Sequence, residues 1–296
     1  MRLTEYLAPM FRDDPLILVD IGARWGMNNE WNVFGESLKA YCFEADKAEC
    51  ERLNGLGLQS QATYIPEVIA SGDGPATLYH TRLSASTGLY RTNESFFGRL
   101  LNKENAKLVS TEEVKTISFE QARAKYSIPD PDMLKLDVEG AELDILHGAN
   151  LGCIFGVYTE VRFHREINGS APFHEVDGYM TGNGFMLYDL MFTRQSRSAL
   201  PYRGPRAQWS TGERFHSYTE RGQIMDGNAV YFRDPLKLKL SRNQILKAAC
   251  LFETVKLNDC AAELLIDRKD DAAVDLQRCL DLLSEGGSYK VYMEAY

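Results

Sequence analysis

Apolar residues fill five of the six positions from Leu16 to Ile21, and the run stops at Gly22. Similar short runs recur at 39–44, 62–70, Met133–Leu136 and Gly156–Arg162. Apolar runs of this length, bounded by turn residues, predict buried strands. Helical patterns lie between them. Asp46, with Glu49 three residues later, forms a capping-box pattern before a helix over about 47–54. Ser118 with Gln121 does the same for a helix reaching about Tyr126 and halted by Pro129 and Pro131. A further helix is expected from about Ala141 to Gly148, with Leu143, Leu146 and Ala149 on its buried face. Residues 1–15 read as a short helix and linker, and Ser71–Thr81 as a turn followed by an added strand. Ser84, Ser86 and Thr87 fall in a polar loop near the sheet end. Gly184–Phe192 and Asn228–Asp234 read as a closing antiparallel pair. Strands alternating with helices predict an α/β fold with a mostly parallel sheet covered on both faces.

After Pro235 the period changes. Ile245, Ala249, Phe252 and Lys256 share one helical stripe, with Leu246, Cys250, Leu257, Ala261 and Leu264 alongside. A second helix is expected from about Asp271 to Leu283, giving an antiparallel pair. The chain therefore divides into a domain over 1–235 and a helical appendage over 236–296. The appendage must bury its stripe against the domain or against a second subunit, as in a homodimer.

Candidate chemistry collects at the strand ends. After Asp20 come Gly22 and Gly26, spaced for a tight turn where backbone approaches a ligand and a side chain at Gly22 would block it. The glycine pattern of a dinucleotide site is missing, and a carboxylate there would repel a pyrophosphate, which disfavours a nicotinamide oxidoreductase. Asp20 suits a ligand with a cationic end, such as S-adenosylmethionine with its ammonium and sulfonium. Glu44 lies 24 residues on, at the end of the second strand, placed to bind ribose hydroxyls. Asp46 is assigned to helix capping instead. Asp137 and Glu139 follow the strand of Met133–Leu136, while Glu142 suits the positive end of its helix.

Glu160 and His164 end a neighbouring strand, four residues apart. With Asp137 they could hold a divalent cation, or His164 could accept a substrate proton. His147, late in its helix, is read as structural. Trp25 and Trp31 could flank a ligand, with packing the simpler reading. Six arginines between Arg194 and Arg221, interleaved with Tyr202, Trp209, Phe215 and Tyr218, could form a lid for an anionic or glycosylated substrate.

Composition narrows this only slightly. The 296 residues carry a net charge of −9, which argues against a broad nucleic-acid footprint. The six cysteines show neither a Cys-x-x-Cys pair nor zinc spacing, so they read as reduced thiols of a cytoplasmic protein. No signal-peptide pattern and no membrane-length apolar run are seen.

The strings LVDIGARWGMNNEW, FEAD and LKLDVEGAELDILHGA together resemble the FkbM family of S-adenosylmethionine-dependent methyltransferases, and Lys135–Glu142 is its most specific signature. TEVRF and NAVYFRDP resemble its later strands, so the likeness covers about 16–235. It departs from the family at Ile117–Ala122, where an acid-rich segment is usual, and in the long stretch Arg194–Asp226. The resemblance implies a Rossmann-like class I methyltransferase fold and methyl transfer to a hydroxyl oxygen of a sugar, glycolipid or secondary metabolite. It implies a cofactor site at Asp20, Gly22, Ala23, Gly26, Glu44, Ala70 and Asp137. Asp137 and His164 are then candidate bases, with Glu139 ordering the turn. A non-catalytic cofactor-binding module is the alternative.

Overall fold

The computed structural model describes residues 1–57, 61–199 and 222–285. A seven-stranded sheet forms its centre. In chain order its strands are β1 (Leu16–Ile21), β2 (Leu38–Phe43), β3 (Ala62–Ile65), β7 (Met133–Leu136), β8 (Gly156–Arg162), β9 (Met186–Gln195) and β10 (Gln223–Phe232). They lie in the order β3-β2-β1-β7-β8-β10-β9, and within this sheet β10 alone runs opposite to the other six. All six residues of β1 are buried, as a central parallel strand covered on both faces requires. The chain winds outward from β1 in one direction and resumes at β7 on the other side. That reversal opens a crevice at the carboxyl ends of β1 and β7, where open α/β sheets bind ligands. This is the Rossmann-like arrangement expected from the sequence.

The run over 62–70 does not form one strand. Pro66 lacks the N–H needed to continue a ladder, and the chain divides there into β3 and β4 (Val68–Ala70). Strand β4 joins β5 (Gly74–Thr81) and β6 (Leu108–Ser118) in a separate three-stranded sheet of order β4-β6-β5. Strand β6 is absent from the sequence reading.

One face of the central sheet is covered by α4 (Phe119–Tyr126), α5 (Glu142–Gly148) and α6 (Phe173–Gly182), through residues such as Phe119, Ile145 and Met180. The other face packs on α1 (Leu3–Leu7), α2 (Lys47–Leu56) and the helices after residue 235. A one-turn α3 (Glu94–Phe97) stands apart from both layers. The expected C-terminal pair is instead α7 (Arg242–Thr254), α8 (Asn258–Asp267), the short α9 (Lys269–Ala272) and α10 (Leu276–Glu285). Helix α7 stops because Lys256 turns left-handed at φ 65°. The Leu257 and Lys256 N–H groups then close onto the Phe252 and Glu253 carbonyls at 2.8 and 2.9 Å, a Schellman ending.

Ile245, Ala249, Phe252 and Leu264 share a core with Leu3, Leu7, Leu18 and Phe232, so the stripe is buried against the sheet domain. Glu253 ties α7 to α1, accepting the N–H groups of Leu3 and Thr4 at 2.7 and 2.8 Å. No helix among the described residues is long and apolar enough to cross a membrane. The six cysteines are unpaired, and Cys42, Cys50, Cys250 and Cys279 are buried.

Candidate active site

The carboxyl ends of β1, β2 and β7 open into a cavity of about 540 Å³. Gly22, Glu44 and Asp137 line it, while Leu78, His80, Glu112 and Thr87 form the wall contributed by the small sheet and its loop. Six carboxylate side chains (Glu44, Asp46, Glu67, Glu112, Asp137, Glu139) face two full cations, Arg24 and Lys47. Three of those acids also have cationic partners outside the lining, Glu67 with Lys125, Asp137 with Lys135 and Glu139 with Arg162.

The turn after β1 is built by backbone. Gly22 and Ala23 donate to the Phe43 carbonyl at 2.9 and 3.0 Å, and Gly26 closes on Ala23 at 3.0 Å. Gly22 has φ +90°, and a Cβ there would lie 1.8 Å from the Asp137 carbonyl oxygen. The packing of the two strand-end loops therefore requires the glycine by itself, and Gly22 also lines the cavity.

Asp20 does not line the cavity. It is fully buried and takes Lys135 Nζ at 2.9 Å, and Lys135 in turn stands 3.9 Å from Asp137. Burial pushes the Asp20 carboxyl up, against the pull of Lys135. Its carboxylate is thus turned to Lys135 and away from the cavity, contrary to the expected direct contact with a ligand. Ala23 and Ala70 are not among the lining residues either, and Gly26 lines an adjoining pocket that shares Arg24 and Trp25 with the first.

Both acids after β2 line the cavity, and Asp46 has the expected capping role. Asp46 caps α2 by accepting the Glu49 N–H at 3.2 Å. Glu49 does not return the bond. Its carboxylate goes to Arg52 and to the Trp25 N–H, so the second half of the capping box is missing. Glu44 accepts the Asp46 N–H at 2.9 Å and stands 3.6 Å from Arg24. Burial raises its pKa. Asp46→Ala is expected to cost about 1 kcal/mol of stability by loss of the cap. If Glu44 takes ribose hydroxyls, Glu44→Gln should instead weaken S-adenosylhomocysteine binding by about 1.5 kcal/mol or more, since it removes a charge-assisted acceptor. Calorimetry beside urea unfolding checks both, and a larger binding loss in Asp46→Ala would reverse the assignment.

Sequence reasoning missed Arg162. Its guanidinium is buried at the end of β8, donating to Glu139 at 2.7 Å, to Glu160, and to Glu166 at 3.4 Å. Burial among like charges, opposed by Arg162, pushes Glu139 up to about 8 and Glu166 up to about 7. Glu160 is raised well above the ordinary carboxyl range for the same reason. Glu139 itself sits at φ 58°, in a turn held by Glu142, which accepts the N–H groups of Val138 and Gly140 at 3.0 and 3.1 Å.

Asp137, Glu139 and Glu160 can each offer an oxygen within 4.8 Å of the others. A metal ion there would have to compete with Arg162 for two of the three. His164 does not belong to this group. The strand ends at Arg162, and beyond it the His164 Nε2 lies 2.9 Å from the Ile224 carbonyl and 2.8 Å from the Gln223 amide, its ring against Phe96. It lines no part of the cavity, so the expected convergence of Asp137, Glu160 and His164 does not occur. His147 packs edge-on against Tyr179. Arg194 and Arg197 lie over Phe192 and Phe96, while Arg203, Arg206, Arg214, Arg221 and the four interleaved aromatics fall outside the described residues.

The methyltransferase FkbM domain matches residues 20–187, more than half of the chain. The chain belongs to the FkbM methyltransferase family. No curated protein matches it. Similar solved structures include magnesium protoporphyrin IX methyltransferase from Synechocystis PCC 6803 with bound S-adenosylmethionine. It is 10% identical over 78% of this chain and 76% of that one, with a TM-score of 0.36. TrmK of M. capricolum with S-adenosylhomocysteine is 9% identical over 95% of both chains, with a TM-score of 0.35. Likeness at this level carries no argument about substrate. The FkbM match spans the strand-end turns that carry Gly22, Glu44 and Asp137.

Proposed function

We propose that this FkbM-family chain transfers a methyl group from S-adenosylmethionine to a hydroxyl of a small-molecule or glycan acceptor, such as a sugar, glycolipid or secondary metabolite. The observation that carries this reading is the convergence of Gly22, Glu44 and Asp137 on one acid-lined cavity at the strand-order reversal. The donor set fits the cofactor. Glu44 would accept the ribose hydroxyls, and the Asp137 carboxylate would face its cationic end. When bound, S-adenosylmethionine supplies an electrophilic methyl on a sulfonium.

The chain's own part is to align and to remove a proton. Alignment of acceptor, methyl and leaving sulfur can lower the barrier by several kcal/mol. A neutral hydroxyl is a weak nucleophile, so a base is required. Asp137 fills that role in this reading because it lines the cavity beside Lys135, whereas His164 is engaged elsewhere. Glu139, held by Arg162, shapes the turn that presents Asp137.

Labelled methyl transfer to a panel of hydroxyl acceptors tests the proposal. Label is expected in a base-stable ether, and Asp137→Asn should lower kcat about 10²–10⁴-fold and also raise cofactor KM, since the same carboxylate faces the cofactor's cationic end. Label in a base-labile methyl ester or on nitrogen would refute transfer to a hydroxyl oxygen. Cofactor binding without transfer to any acceptor would favour the non-catalytic module.

A further inference from the structure

Trp25 is unusual in two respects. It is 59% exposed, and its φ of 68° lies in the left-handed region that a bulky side chain rarely adopts. Gly22 and Gly26 in the same turn also have positive φ, but glycine suits such a backbone. A strained residue persists only where its surroundings enforce it. Here the Trp25 N–H donates to Glu49 Oε1 at 3.2 Å, and Glu49 is itself held by two 2.7 Å bonds from Arg52. The same strain does no packing work. Trp31, by contrast, is 1% exposed and stacks on Phe34. The indole of Trp25 instead borders the cavity together with Glu44, Asp46 and Lys47, at the end of β2 and the start of α2.

We propose that Trp25 is the cover of the cofactor site: with S-adenosylmethionine or S-adenosylhomocysteine bound, its indole lies against the adenosine half and shields it from water. The proposal rests on the reading of this cavity as the S-adenosylmethionine site. An aromatic face offers a large contact area to a ribose or purine, and a backbone fixed in advance reduces the ordering cost of that contact. The exposed indole is then the surface that the adenosine half covers.

The full chain, titrated with S-adenosylhomocysteine, tests this. In a Trp209→Phe background, binding is expected to shift and quench the tryptophan emission, since Trp31 is already buried. The added change Trp25→Phe should remove that response while leaving most of the affinity. Trp25→Gly suits the left-handed backbone, so it should fold with unchanged or higher Tm yet bind about tenfold more weakly. A merely structural Trp25 would show the opposite pairing of stability and affinity. Calorimetric binding with unchanged emission, or a Trp25→Gly affinity within twofold of wild type, would overturn the proposal. If the wild-type chain binds neither S-adenosylmethionine nor S-adenosylhomocysteine, the reading of the cavity fails first and takes the cover with it.

Discussion

Arg162→Met is expected to remove about 3–5 kcal/mol of stability at pH 8, the cost of leaving buried charges without their partner. Glu139, Glu160 and Glu166 all bond this one guanidinium, with Glu142 close enough to feel its charge. The loss should be smaller at pH 5. A carboxyl whose folded pKa exceeds its unfolded value holds an extra proton when folded, so stability falls as pH rises between the two values. For Glu139 that window runs from about 4.5 to about 8, and for Glu166 from about 4.5 to about 7. The wild-type chain should therefore lose stability across this range as the cluster titrates together, and Glu139→Gln should flatten the slope. Urea unfolding at pH 5, 6.5 and 8 measures all three chains. An Arg162→Met variant within 1 kcal/mol of wild type at pH 8, roughly the worth of a surface ion pair, would contradict the buried-hub account.

Gly22→Ala should destabilise the chain by about 2–5 kcal/mol, combining left-handed strain of about 1–2 kcal/mol with overpacking of about 1–3 kcal/mol. Its methyl would meet the Asp137 carbonyl oxygen at 1.8 Å, so the loops ending β1 and β7 must separate. Cofactor affinity and thermal stability should fall together. A variant with wild-type Tm and no cofactor binding would instead restore the simpler idea that the side chain only fills ligand space.

How far the sequence reveals this fold follows from how strongly each element is buried. Strands β1, β2 and β7 are mostly apolar because most of their residues are buried, and each is legible as a run, whereas β8 carries Thr159, Glu160 and Arg162 among its apolar residues. The Ser118–Gln121 box is present in both halves, since it depends only on residues three apart. Strand β6 was not legible. None of its residues is buried, so LVSTEEVKTIS carries no alternation, and it is ordered by pairing with β4 and β5. Helix α6 buries only Val176 and Met180 and contains two glycines, which leaves a weak period.

In the site, the glycine turn and the strand-end acids were legible because they are local. Arg162 was not, because its partners lie at 139, 160 and 166 and meet only through β8 and the turn after β7. A charged residue between apolar neighbours in TEVRF was the available signal. The wall of His80, Glu112 and Thr87 depends on how the small sheet folds over the crevice, which residue spacing does not encode.

The account stands most directly on what the cavity of Gly22, Glu44 and Asp137 binds. Calorimetric titration of the wild-type chain with S-adenosylhomocysteine, beside a nicotinamide dinucleotide, measures this. One saturable site for S-adenosylhomocysteine, weakened in Glu44→Gln, and no heat of binding for the dinucleotide is the predicted result. A folded chain that binds the dinucleotide, or that ignores S-adenosylhomocysteine, would contradict it.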